Sequence, residues 1–172
     1  LMILSHRHRF IFIKTEKTAG TSLELALARV CGPGDIITPV VHPADRQLRD
    51  SLGPGYRREQ NYHIPWEYLT PLDLARAAKT LQRPQFYNHI GAADIRRFVA
   101  PDVWNTYYKS CVERNPWDKA ISLYYWWREL EEQYGNDPRG FRTTMGHAAS
   151  GVIWMIERHP VGGMSLSEFI QT

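Results

Sequence analysis

Arg9-Phe10-Ile11-Phe12-Ile13-Lys14-Thr15-Glu16-Lys17-Thr18-Ala19-Gly20-Thr21-Ser22-Leu23-Glu24 is the stretch on which the fold turns. Phe10 to Ile13 is a short apolar run with the composition of a buried strand. A small-residue turn centred on Gly20 follows, and then Leu23-Glu24-Leu25-Ala26-Leu27-Ala28-Arg29-Val30, whose residues favour helix. Thr21-Ser22-Leu23-Glu24 fits the capping box, so the spacing predicts that the Thr21 hydroxyl and the Glu24 carboxylate satisfy free amides at the helix start. A strand, a tight turn carrying a lysine and a helix N-terminus together make an anion-binding geometry. The helix offers unpaired N–H groups and its positive dipole end, and Lys17 adds a full charge. On residue types alone, an anion loop and an ordinary strand-to-helix turn stand level. The Walker A spacing is absent, because Gly20 follows Lys17 instead of preceding it.

Working outward, the 172 residues suit one domain with a real core. Charged residues make up 23% and apolar ones 43%, which is the balance of a folded globular chain and excludes a disordered one. A net charge of +3 fits one anionic ligand and is too small for wrapping nucleic acid. The two cysteines, Cys31 and Cys111, form neither a metal pattern nor a disulfide framework, so a reducing, cytoplasmic compartment is the expectation. No run of 18 apolar residues is present, so no membrane segment is expected.

In chain order, Met2 to His8 reads as a polar, basic lead-in. Cys31-Gly32-Pro33-Gly34 reads as the stop of the first helix, with glycine at the C-terminal cap. Residues 35–68 read as a loop-rich insertion with one short helix and a cluster of charges, among them Asp45, Arg46, Arg49 and Asp50; an acceptor-binding role and a solvated surface segment stand level for it. Thr70 caps a second helix running to Leu81, with Pro71 in its first turn. Pro84 to His89 reads as a short strand, Gly91 to Phe98 as a helix, Pro101 to Thr106 as a link, and Tyr107 to Glu113 as a further strand. Strands alternating with helices predict a three-layer α/β fold with a mainly parallel sheet. Ligands gather at the carboxyl ends of the strands of such sheets, and Lys17, His89 and Arg114 each fall at or just past one.

Glu113-Arg114-Asn115-Pro116-Trp117-Asp118-Lys119-Ala120-Ile121-Ser122-Leu123-Tyr124-Tyr125 is the second informative segment. Asn115 is a good helix cap, Pro116 suits the first helical position, and Asp118 gives the start a capping-box look. Arg114 at the corner and Ser122 two turns into the helix make a phosphate clamp. Standing alone, they read as a surface arginine and an inward serine. The aromatic run Tyr124-Tyr125-Trp126-Trp127 covers every helix face, so most of it belongs to the core. Residues 135–165, with His147 and His159, read as a lid rich in Gly and Pro.

Lys17-Thr18-Ala19-Gly20-Thr21-Ser22 after an Ile/Phe strand resembles the 5′-phosphosulfate loop of sulfotransferases, in particular the broad group holding carbohydrate sulfotransferases and small bacterial members. Arg-Asn-Pro-Trp-Asp-Lys-x-x-Ser-x-Tyr-Tyr resembles their 3′-phosphate segment, and Asn88-His89-x-x-Ala-x-x-Ile-Arg-Arg their middle segment. These motifs stand in the family's order between residue 6 and about residue 127. Glu16 replaces a common proline and Lys119 a common arginine. Family members also continue past a segment like Ser165 to Ile170, so the single sulfotransferase-like domain is expected to lack its C-terminal part.

The resemblance implies a P-loop-like strand–turn–helix and sulfuryl transfer from 3′-phosphoadenosine 5′-phosphosulfate to an acceptor hydroxyl or amine, on a small molecule or glycan. Lys17 would neutralise charge on the oxygen bridging phosphate and sulfate. Amides around Thr18, Ala19, Gly20 and Thr21, with the Thr21 and Ser22 hydroxyls, would cradle the 5′-phosphate, and Arg114 with Ser122 would take the 3′-phosphate. No metal is required. His89 is the first candidate for the general base, and Glu16, beside Lys17, is its rival. Kinship with a Golgi enzyme would place the chain in the Golgi lumen after loss of an anchor. The competing readings are a nucleotide kinase-like protein and a non-catalytic nucleotide- or anion-binding module.

Overall fold

The computed structural model describes residues 2–40, 43–53, 58–134 and 163–171. His42 and residues 135–162 of the expected lid, with His147 and His159, lie outside them. The chain divides into two compact units, the first made of residues up to Val40 and from Asp45 to Val112, the second chiefly of Glu113 onward.

The first unit is built on a four-stranded sheet in the order β3-β1-β2-β4. Its strands are β1 (Met2–Ser5), β2 (Phe10–Ile13), β3 (Ile36–Ile37) and β4 (Tyr108–Cys111). β1 pairs antiparallel with both β2 and β3, and only β2 and β4 run parallel. The sheet is therefore mixed, where the sequence predicts a mainly parallel one. The physical reason is the connection: four residues, His6 to Arg9, join β1 to β2, and parallel strands need a crossover of a dozen or more. Met2 to Ser5, expected as a lead-in, is instead a wholly buried strand.

Pleating sends alternate side chains to opposite faces. Met2, Leu4 and Ile11 join Ile64, Phe86, Ile90, Ile95, Phe98 and Val99 in one core cluster. Ile3, Phe12 and Ile37 join Ala28, Cys31 and Val40 in another. Both sheet faces are thus covered, one by α1 (Gly20–Ala28) and the segment after it, the other by residues from the 62–99 stretch.

Asp35, 1% exposed, anchors the β1–β2 turn. Its carboxylate accepts from Ser5 Oγ at 2.8 Å and from the backbone N–H groups of His6 at 2.6 Å, Arg7 at 3.1 Å and Gly32 at 2.7 Å. Burial alone would raise its pKa, but these donors hold it below the usual carboxylate range. Gly32 is spent on this contact and does not cap α1, which ends at Ala28 with Arg29 as its cap.

The expected loop-rich insertion carries β3, the helix α2 (Pro43–Ser51) and a short 3₁₀ turn at Trp66–Tyr68. α3 (Pro71–Thr80) has the foreseen start: Thr70 accepts from the Asp73 N–H, and Asp73 returns the bond to Thr70. α4 (Ala92–Arg97) and α5 (Pro101–Thr106) follow, the latter where a link was expected. Pro84 to His89 is not a sheet strand. It makes one isolated bridge, His63 to Gln85, and then turns.

In the second unit, α6 (Pro116–Tyr134) begins as read: the Trp117 N–H donates to Asn115 Oδ1 at 3.0 Å. The Tyr124 hydroxyl donates to the Met164 carbonyl at 2.6 Å. The Tyr124 and Trp127 rings both meet Phe169 of α7 (Leu166–Gln171). Two of the four consecutive aromatics, Tyr124 and Trp127, are buried, while Tyr125 is 58% exposed. Among the described residues no helix is long and apolar enough to cross a membrane.

Candidate anion-binding site

The carboxyl ends of β2 and β4 lie side by side, with Ile13 opposite Cys111. From the end of β2 the chain makes the turn Lys14–Ala19 and enters α1 at Gly20. The Thr15 hydroxyl donates to the carbonyl of Val112, just past β4, so the turn is pinned to the neighbouring strand. Lys17 and Ala19 both have φ of 57°, in the left-handed region that only a few per cent of non-glycine residues occupy. Backbone held there at a helix entrance can form a concavity of N–H groups, the arrangement that binds anions.

The predicted capping box does not form. Ala19 is the N-cap, and no side chain caps α1. Tertiary partners have taken both groups that would have closed the box. Thr21 Oγ1 accepts from Lys14 Nζ at 2.9 Å and donates to Asp45 Oδ2 at 3.2 Å. Glu24 is fully buried, in an ion pair with Arg49 and 3.8 Å from Lys14 Nζ. Arg49, 2% exposed along its side chain, also pairs with Glu59 at 3.2 Å. Burial lowers the Lys14 pKa; Asp45 pulls against that and Arg49 adds to it. Burial likewise lowers Arg49, with Glu59 opposing. Sequence reading left Asp45 and Arg49 between an acceptor-binding insertion and a solvated surface segment, and gave Lys14 no role beyond pairing with Glu16. The available signal was the single carboxylate, Glu24, inside the apolar run Leu23 to Ala28, which demands a buried cation.

Gly20 is required by close approach. A Cβ there would stand 2.5 Å from Lys14 Cγ and 2.9 Å from its Cε, so the lysine stem crosses the helix start where only glycine leaves room. Thr18 is buried, with its hydroxyl donating to the Thr15 carbonyl at 3.1 Å. Ser22 and Glu16 are exposed, and Lys17 is partly covered.

His89 arrives at the foot of this turn. Its Nδ1 lies 3.2 Å from the Lys14 carbonyl, and its own φ of 59° is left-handed. Burial is the chief cause that holds the imidazole down to about 4; the hydrogen bond to the Lys14 carbonyl opposes it, and the Lys14 charge adds a smaller push in the direction of burial. The structure thus brings His89 together with the Lys17 turn. Arg114 and Ser122 belong to the second unit: Arg114 is exposed just before α6, its N–H donating to Glu113 Oε1 at 3.1 Å, and Ser122 is partly buried on α6. Among the described residues no group of three or more His, Cys, Asp or Glu could hold a metal ion. No protein-family model, curated protein or solved structure matches the chain.

Proposed function

We propose that the chain is a sulfotransferase that moves a sulfuryl group from 3′-phosphoadenosine 5′-phosphosulfate to an acceptor hydroxyl or amine, on a carbohydrate or other small molecule. The observation that carries the reading is the start of α1. A helix entered through two left-handed residues, with no side-chain cap, leaves its first amides and positive dipole end open to an anion. The same corner, sitting at the carboxyl ends of two parallel strands, supports the finer reading of a P-loop-like layered fold.

In this reading the 5′-phosphosulfate sits on the amides of Thr18 to Thr21. The acceptor oxygen attacks sulfur in line, and the bond from sulfur to the phosphate oxygen breaks. Lys17 offsets the charge left on that oxygen, and adenosine 3′,5′-bisphosphate leaves. The acceptor proton passes to His89, neutral above about pH 4 and so able to accept it. Glu16 is exposed beside Lys17 and is the alternative base. Arg114 and Ser122 take the 3′-phosphate on the strength of their motif. The Thr21 hydroxyl, already engaged by Lys14 and Asp45, serves the turn more than the ligand.

Turnover of the donor across a panel of sugars, phenols and amines tests the assignment. Lys17→Ala and His89→Ala are each expected to abolish sulfated product while the protein stays folded, and the acid limb of the wild-type rate should fall near pH 4. Sulfation by the wild type that survives Lys17→Ala unchanged would contradict the mechanism. Binding of the donor with no transfer to any acceptor would leave a non-catalytic module.

A further inference from the structure

We propose that Lys14 is the positioning residue of this corner, joining the first turn of α1 to His89 through its two ends. The inference rests on the reading that the turn takes an anion and His89 takes the acceptor proton. At the side-chain end, Nζ donates to Thr21 Oγ1 at 2.9 Å and stands 3.8 Å from Glu24 Oε2. Between the ends, the stem lies against Gly20 at the helix entrance. At the main-chain end, the carbonyl is 3.2 Å from His89 Nδ1.

A carbonyl can only accept, so neutral His89 must carry its proton on Nδ1. Nε2 is then the nitrogen with a lone pair, the one able to receive a proton from a substrate. One residue therefore fixes both where the first turn of α1 starts and which nitrogen of the histidine is basic.

The surroundings of the amine fit an internal role. Its side chain is 9% exposed. It faces Glu24 from α1 and Asp45 and Arg49 from α2, and Arg49 reaches on to Glu59. The Lys14 charge is thus committed to the protein's own carboxylates, while it still acts on the imidazole at the other end of the same residue.

Two variants test this. Lys14→Met keeps the stem and removes the amine, leaving Glu24 with Arg49; Lys14→Arg keeps the charge. Long-range nitrogen–proton spectra of the histidine rings, recorded from about pH 3 to 8, report both tautomer and titration of His89. Calorimetric titration with adenosine 3′,5′-bisphosphate reports the anion site. The wild type should show His89 as the Nδ1–H tautomer titrating near 4. Lys14→Met should move that titration upward and weaken binding about tenfold, the loss expected for one hydrogen bond to a charged group. Lys14→Arg should stay near the wild type in both.

An Nε2–H tautomer in the wild type overturns the inference, as does a folded Lys14→Met protein whose His89 titration or nucleotide affinity is unchanged from the wild type. A wild type that binds no adenosine bisphosphate sinks the functional reading alone, and the ring spectra then decide the role of Lys14. Should Lys14→Met fail to fold, the wild-type tautomer decides, Nδ1–H in favour and Nε2–H against.

Discussion

Two strand-to-helix corners in this chain solve one problem in opposite ways. At β4–α6 the helix start is made locally: Asn115 caps the Trp117 amide, Pro116 fills the first position, and Glu113 pairs with Lys119 in the open. At β2–α1 no side chain caps the helix. Its position is set instead by a buried charge cluster: Lys14 from the turn before it, its own Glu24, and Arg49 from α2. A self-capped helix has already used its own amides. One held from beneath keeps its entrance for something else.

The comparison breaks if the buried charges prove dispensable. Glu24→Ala leaves Lys14 with Thr21 and Asp45 and Arg49 with Glu59, and removing one member of a buried pair costs about 3–5 kcal/mol. Chemical denaturation of the variant should show a loss of that size; a loss under 1 kcal/mol, or about that of an exposed pair, would erase the distinction between the corners. Gly20→Ala sharpens it. On helix propensity alone alanine stabilises by about 1 kcal/mol, yet here the new Cβ meets the Lys14 stem, so a net loss of about 1–3 kcal/mol is expected. The same denaturation experiment distinguishes the signs. Smallest is Asn115→Ala at the other corner, where loss of one cap should cost about 1 kcal/mol.

Local chemistry was legible in the sequence, and tertiary chemistry was not. Thr70 and Asn115 announced their helices because a cap is a contact within a few residues. The β2 strand and the helix after Gly20 were equally plain from composition. Thr21 and Glu24 match a capping box in spacing, but the pattern says nothing of Asp45 and Arg49, which arrive from α2 and claim both groups. β1 was hidden because its three apolar residues are followed by Ser5 and then His6-Arg7-His8-Arg9, which reads as a solvated segment. Its antiparallel pairing with β2 is what makes the sheet mixed. His89 was placed near the turn for the wrong reason. It comes from a tight turn with left-handed backbone, Ile90 N–H donating to Tyr87, and not from a strand end.

The central claim, that the entrance of α1 is an anion seat for an adenylate carrying a 3′-phosphate, is tested most directly by calorimetry on the wild type and Lys17→Ala. Adenosine 3′,5′-bisphosphate and ATP–Mg²⁺ would be titrated side by side. The account predicts that the bisphosphate binds, that ATP–Mg²⁺ binds far more weakly, and that Lys17→Ala loses the bisphosphate. Tight binding of ATP–Mg²⁺ with none of the bisphosphate, or affinity indifferent to Lys17, would contradict it.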